Sequence, residues 1–426
     1  MSNKYKNNSL ELEALEIKFE GGAYNALDSF SDFQIDENMD AYSMHCNMTF
    51  LDAADIANKI DFDGTETLTI KFKSPGGREI DVDFRIYKHI IALDPNGGSA
   101  KAVTVYGVTP EHYTQVPIDV NQSLKGKVSK FAEIVYSKLK TKKPLTIDET
   151  TGITTTIVPG MSPFEAMDFL ANRSYDSSFK SSAFKFYETI DGYNFRNIEK
   201  VISQNKKDAI TYIWNPNANV KTDDQKIQFT IKMLEIDKNN DVMKKIKTGM
   251  YASEAKEIDL INQKIVEHPF KVQESFDDFE HLDDDSMSLD SINLLDETCS
   301  DINTSFWLMK NIDDPVRETN FTQIIPRRLF YLFSLEQVKA KMAIPGNSDL
   351  SPGKIINLDM AEATAKTESR EQEGKITGNY LVTRVIHIVS RGSYSQSVNM
   401  CKDSYKSNVR NPDKNIVSKR QPRATI

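Results

Sequence analysis

The sequence predicts a β-rich α+β protein, with two antiparallel β-barrels and a small α/β domain inserted between them. Three observations lead there. Across residues 339–403 four strand-like segments follow one another, joined by turn residues. Across residues 10–107 short runs of alternating apolar and polar residues recur between glycine- and proline-containing breaks. Between these regions, over residues 113–208, apolar residues fall instead at helical three- and four-residue steps.

A chain of 426 residues exceeds one hydrophobic core, since cores stop growing at roughly 250–300 residues. The textures divide it into a first barrel (1–112), the insert (113–208), a first part of the second barrel (209–272), an acidic loop (273–301), a helix with the rest of the second barrel (302–403) and a basic tail (404–426).

In the first region Leu10, Leu12, Leu15, Ile17 and Phe19 alternate with acidic neighbours as a strand with one wet face, and Gly21-Gly22 ends it. Further strands are expected at 42–50, 67–72, 79–87 and 100–107, with a short helical turn at 52–59. Turns fall at Ser74-Pro75-Gly76-Gly77 and Asp94-Pro95-Asn96-Gly97-Gly98. In the insert, Leu124, Val128, Phe131, Ile134, Val135 and Leu139 predict an amphipathic helix over 123–140. A threonine-rich link at 146–158 then leads to Ser162, placed to cap a helix that opens at Pro163 and runs to about Asn172. A hairpin turning about Asp191-Gly192 joins 183–188 to 193–195.

Strands resume at 226–235, turn at 237–240, and continue at 241–247, 250–259 and 264–270. Residues 273–301, with Asp277, Asp278, Asp283, Asp284 and Asp285, read as a solvated, mobile excursion. Residues 317–335 favour a helix, started or kinked by Pro326. The meander closes the chain: 338–344, Pro345-Gly346, Pro352-Gly353, 354–358, a polar loop at 361–374, the β-branched run 378–389, and 394–400. Beyond Lys402 the tail collects Lys406, Arg410, Lys414, Lys419, Arg420 and Arg423 and is expected to be an extended arm.

Lys+Arg 53 against Asp+Glu 62 gives a net charge of −9, which argues against holding nucleic acid by neutralising its phosphates. Cys46, Cys299 and Cys401 are odd in number and widely spaced, so they are expected to be reduced thiols of a chain assembled in a cytoplasm. The start Met1-Ser-Asn-Lys-Tyr-Lys-Asn-Asn lacks the apolar run of a secretory signal, and Pro326-Arg327-Arg328 breaks the longest later apolar stretch. The histidines His45, His89, His112, His268, His281 and His387 stand singly, and His387 is expected to pack within its strand. No nucleophile elbow, phosphate loop or dinucleotide fingerprint occurs. A carboxylate pair or a calcium site among Asp277–Asp285 lacks any fixed spacing to support it. The residues therefore name no catalytic, cofactor or metal site and predict a non-enzyme.

Two stretches carry a resemblance. One is the meander, with its Ser-Pro-Gly-Lys-Ile-Ile, Gly-Asn-Tyr-Leu-Val-Thr-Arg-Val-Ile-His and Tyr-Ser-Gln-Ser-Val-Asn-Met-Cys-Lys-Asp segments. The other is Ser-Pro-Phe-Glu-Ala-Met-Asp-Phe-Leu-Ala followed by Phe-Lys-Phe-Tyr-Glu-Thr-Ile-Asp-Gly-Tyr-Asn-Phe. In this order they resemble the central baseplate hub proteins of contractile phage tails, the late-control tail proteins and the amino-terminal part of type VI secretion spike proteins. The resemblance covers most of 12–403, leaving out 273–301 and the tail.

It implies barrels of tail-tube type and a homotrimer whose six barrels adapt a hexameric tail tube protein to a trimeric central spike protein. It also implies contacts with baseplate wedge proteins, a lumen that passes the tape-measure protein and then DNA, and a place in the virion tail. An acidic wall would suit such a lumen. A β-rich hydrolase of cell-wall or capsule polysaccharide, and a carbohydrate- or receptor-binding tail module, are the alternative classes.

Overall fold

The computed structural model describes residues 10–53, 55–60, 62–74, 77–93, 101–214, 229–238, 242–286, 304–309, 321–360 and 376–406. Pro75-Gly76, the 94–98 turn, Asn239-Asn240, Cys299, the 361–374 loop and the tail beyond Lys406 lie outside the described residues.

The first region forms β1 (Glu11–Phe19), β2 (Gly22–Asn25), β3 (Phe30–Asn38), β4 (His45–Asp52), β5 (Thr67–Lys73), β6 (Glu79–Leu93) and β7 (Lys101–Val108), with one helical turn at Ile56–Lys59. Next come β8 (Val120–Gly126), β9 (Leu145–Ile147), β10 (Thr154–Met161), β11 (Phe184–Thr189) and β12 (Gly192–Asn197), with helices Val128–Ser137, Pro163–Ala171 and Ile198–Asn205. The remainder holds β13 (Ile210–Trp214), β14 (Met233–Lys238), β15 (Ala252–Asp259), β16 (Lys264–Lys271), β17 (Asp285–Ser286), β18 (Ser305–Met309), β19 (Val338–Pro345), β20 (Ile355–Met360), β21 (Gly378–Ser390), β22 (Ser393–Lys402) and β23 (Ser404–Tyr405). Its longest helix is Phe321–Leu335, with Pro326 inside.

Among the described residues thirteen strands join in one sheet. Its main path runs β14-β19-β22-β21-β3-β4-β7-β6-β5-β1-β2, and β20 and β13 branch from β21. The two halves of the sequence thus meet strand to strand, where β21 pairs with β3 from Arg384–Asn38 to Ser390–Asp32. The first half packs Leu15, Phe33, Met48, Phe72, Phe84 and Val105 into one core, and the meander packs Ile344, Val385 and Val398 into another. A separate core around Phe131, Phe164, Met167, Phe186, Tyr193 and Phe195 is drawn from residues 120–195. The Pro163–Ala171 helix starts where its sequence says: Ser162 and Glu165 cap each other reciprocally.

Four expectations change. Residues 123–126 are not the first turn of a helix but the end of β8, and their partner is β10, in the threonine-rich stretch expected to be a link. β-branched Thr154, Thr155, Thr156, Ile157 and Val158 suit a pleated surface better than a loop. Residues 242–247 form a helix rather than a strand, in keeping with the straight side chains of Met243, Lys244, Lys245 and Lys247. The described part of the acidic stretch does not float: Phe276, Phe279 and Leu282 are buried in a core with Phe330 and Tyr331. Finally, β3 appears where no strand was expected. A bulge between Phe30 and Asp32 and the buried Glu37 interrupt its apolar alternation. Cys46 and Cys401 are free and buried, and burial pushes both thiols up, Cys401 to about 12.

Candidate assembly surface

Within the eight neighbouring strands from β14 to β6, the register lines up two rows on one face of the six from β22 to β6. One row is Ser395, Ile388, Gln34, Asn47, Tyr106 and Lys88; the other is Ser393, Ser390, Asp32, Thr49, Thr104 and Ile90. Side chains alternate along a strand, so the intervening Val389, Phe33, Met48 and Val105 point the other way, into the core. Small hydroxyls and amides dominate the polar face. One ion pair lies within it, Arg384 Nε donating to Asp36 Oδ1 at 2.8 Å, and the Thr49 and Thr104 hydroxyls meet at 3.1 Å. Further along the same face, on β5, β6 and β1, the chemistry differs, with Lys71 paired to Glu79 at 3.1 Å and Lys73 to Glu11 at 3.2 Å.

This eight-strand stretch has an open edge at each end among the described residues. β5 covers β6 only from Glu79 to Arg85, and beyond that β6 pairs with β7 alone as far as Leu93. At the other end β14 pairs with β19 alone. The β6 edge is apolar on both faces: Tyr87, Ile90, Ile91 and Leu93 are exposed, Leu93 by 69%. Unpaired backbone groups beside exposed apolar side chains form an edge built to be covered. The sequence reading ended this strand at Tyr87 and missed it. The signal was the run Ile90-Ile91-Ala92-Leu93, apolar at both parities, as a strand buried on both faces requires.

Buried polar contacts fix this sheet to the insert. His387, fully buried as expected for a packed strand residue, sets Nε2 at 2.9 Å from Glu37 Oε1 and Nδ1 at 2.8 Å from the Tyr394 hydroxyl. The second Glu37 oxygen accepts the Ile190 N–H at 2.8 Å. Arg78 donates to the Ser348 carbonyl at 2.6 Å and the Ser351 hydroxyl at 2.9 Å, and pairs with Asp191.

Carboxylates are engaged in the same way. Lys143 sits 2.8 Å from Glu111 and 2.6 Å from Glu188, which also accepts from Met44 N–H and Thr109. Burial raises Glu188 in spite of Lys143, whereas at Glu111 Lys143 outweighs burial and lowers it. In the acidic stretch Asp278 meets Lys180 and Arg327, and Asp283 meets Lys402 at 2.7 Å. Cations already seated on these groups tie the arrangement together as a structural lattice. Among the described residues no three His, Cys, Asp or Glu side chains gather as a metal ion requires, and no helix is long and apolar enough to cross a membrane.

No family model and no curated protein matches the sequence. Solved structures do match the fold. The tail protein from Neisseria meningitidis MC58 aligns with TM-score 0.55 and 10% identity over 92% of this chain and 96% of that one. The 43 kDa tail protein of prophage MuSo2 from Shewanella oneidensis aligns with TM-score 0.55 and 10% identity over 93% and 100%. A looser match, TM-score 0.39 at 10% identity over 91% and 77%, is the E. coli c3393 protein, a component of the type VI secretion system. At such identity the likeness is one of fold: the chain is folded as these two tail proteins are over more than nine-tenths of its length.

Proposed function

We propose that this chain is a structural, non-enzymatic hub subunit of a contractile phage tail baseplate, and that three copies close into a ring between tail tube and central spike. The observation that carries the reading is the eight-strand wall with an open edge at each end. Strands in this wall alternate in direction without exception from β14 to β6. Eight is even, so the β6 edge of one copy meets the β14 edge of the next antiparallel, and the alternation survives every seam.

Size favours three copies. With strands about 4.8 Å apart and tilted by up to roughly 40°, three walls make a barrel roughly 40–50 Å across between backbones, and two walls only roughly 25–30 Å. Side chains take about 10 Å of either, so three walls admit a DNA duplex and two do not. The polar face would line that conduit, which would make it neutral and rich in small hydroxyls and amides rather than acidic. Asp32 and Asp36 offset Lys88 and Arg384 on this face, so phosphates would find little net charge to hold. Residues 1–112 and, within 209–272 and 302–403, the strands β13, β14 and β19 to β22 would supply the two tube-like barrels, with β15, β16 and β18 in a separate sheet, and 113–208 the flank towards wedge proteins, with tape-measure protein and DNA passing inside. The absolute mass of the purified chain by light scattering, alone and with its spike protein, tests the reading. A three-chain particle is expected, and a monomer under both conditions refutes it.

A further inference from the structure

One unbroken row of strand partners crosses the whole wall, from Met233 on β14 through Ser397, Asp36 and His45 to Arg85 on β6. From that row the two edges run opposite ways. β14 continues to Asp237, and its Glu235 already stands in the row of Asn38. On β6, β5 and the Glu66 carbonyl, which accepts the Ile86 N–H at 3.0 Å, cover the edge as far as Ile86. Its open part lies on the other side, with Lys88 in the row of Gln34 and Ile90 in the row of Asp32. Copies set level with one another therefore leave these two edges unpaired.

We infer that neighbouring copies meet six residues out of step, with Met233–Asp237 of one antiparallel against Ala92–Lys88 of the next, so that the wall closes with leaning strands. The inference rests on the ring reading, and the open edges choose the step. Four residues would drive Asp237 onto Arg85, whose edge Thr67 already holds. Eight would carry Met233 past Leu93 and leave Lys88 bare of β14. An odd step would turn the wet face of one copy to the core side of the next. At six, half-buried Leu234 meets Ile91, and Asp237, which has Lys339 on one side, gains Lys88 on the other.

The hand of the step is the one a barrel needs. Seen from the core side with β3 running upwards, Phe33, Ile35 and Met39 face the viewer, and the Met39 N–H bonds the Thr383 carbonyl at 2.9 Å. For L-residues that places β21 to the right of β3, hence β14 at the right end of the wall and β6 at the left. Strands of a closed barrel lean to the right when seen from outside, so a row followed to the right descends and enters the next copy lower down. β14 lies above the Met233–Arg85 row and Lys88–Leu93 below it, which is that same sense. Six residues of about 3.4 Å over eight strands of about 4.8 Å give a lean of roughly 28°, near the roughly 35–45° of closed barrels.

The test is a pair of cysteines in the full chain, Ile90→Cys with Glu235→Cys, made together with Cys299→Ser. After oxidation this chain is expected to run on a non-reducing gel as covalent dimers and trimers. Their yield should exceed, by about tenfold or more, that of chains joining Glu235→Cys to Lys88→Cys or to Ala92→Cys, since partners two residues off are roughly 7–8 Å apart, beyond the usual span of a disulfide. Light scattering on the same chains separates the step from the ring. Three-chain particles that link best through position 88 or 92, or that form no links, overturn the six-residue step and leave the ring standing. Monomers throughout, wild type included, overturn both.

Discussion

Lys402→Met leaves the Asp283 carboxylate without its cation. Both side chains are essentially inaccessible, at 0% and 3% exposure, and Lys402 Nζ bonds Asp283 Oδ2 at 2.7 Å and the Thr377 carbonyl at 2.8 Å. Methionine nearly fills the space of the lysine stem, so little of the cost is a cavity. The cost is the stranded charge, about 3–5 kcal/mol when one partner of a buried pair is removed, or roughly 150- to 5,000-fold in the folding equilibrium. Removing both charges relieves it, and Asp283→Asn with Lys402→Met is expected to regain most of the loss. Urea unfolding followed by tryptophan fluorescence at pH 8 measures each variant. The reasoning fails if Lys402→Met stays within about 1 kcal/mol of wild type at pH 8, or if the double variant is no more stable than the single.

Glu37→Ala removes the acceptor shared by His387 and the Ile190 N–H, and is expected to cost about 2–4 kcal/mol in thermal unfolding; a loss under about 1 kcal/mol counts against the lattice. Burial pushes Glu199 from 4.5 up to about 7. The folded chain therefore keeps a proton that the unfolded chain releases, and stability falls as pH rises from about 4.5 to 7, by at most roughly 3 kcal/mol. Glu199→Gln should flatten that slope and raise the melting temperature at pH 8, and an unaltered pH profile contradicts the assignment. Ile91→Lys, on the open β6 edge, is expected to abolish the three-chain particle while changing monomer stability by less than about 0.5 kcal/mol; rings of wild-type mass show the seam to lie elsewhere. Gly346→Ala drives a methyl into the ring of the buried Tyr394, and a cost of about 1–3 kcal/mol in denaturant unfolding is expected, with a neutral change refuting that packing.

What the sequence made legible was local. β19, β21 and β22 announce themselves because burial alternates over most of each strand, and Ser162 with Pro163 marks a helix start within one turn. What it hid was set by distant partners. Glu37 reads as a solvent-facing carboxylate until His387, 350 residues away, and Ile190, 153 away, close over it, and the loss of that apolar position erased β3. The acidic stretch misled for the same reason: composition counts Asp278 and Asp283 as repelling charges, while the fold supplies Lys180, Arg327 and Lys402 one by one. The open β6 edge is a different case. Residues 88–93 carry apolar side chains at both parities, which for a strand inside one chain means two covering layers. Among the described residues the fold gives them one neighbouring strand, β7, and the Phe62 ring stacked on His89, and leaves Ile90, Ile91 and Leu93 exposed. A local pattern that asks for more burial than its own chain provides is the demand that the proposed ring would meet, by setting a second copy against this edge.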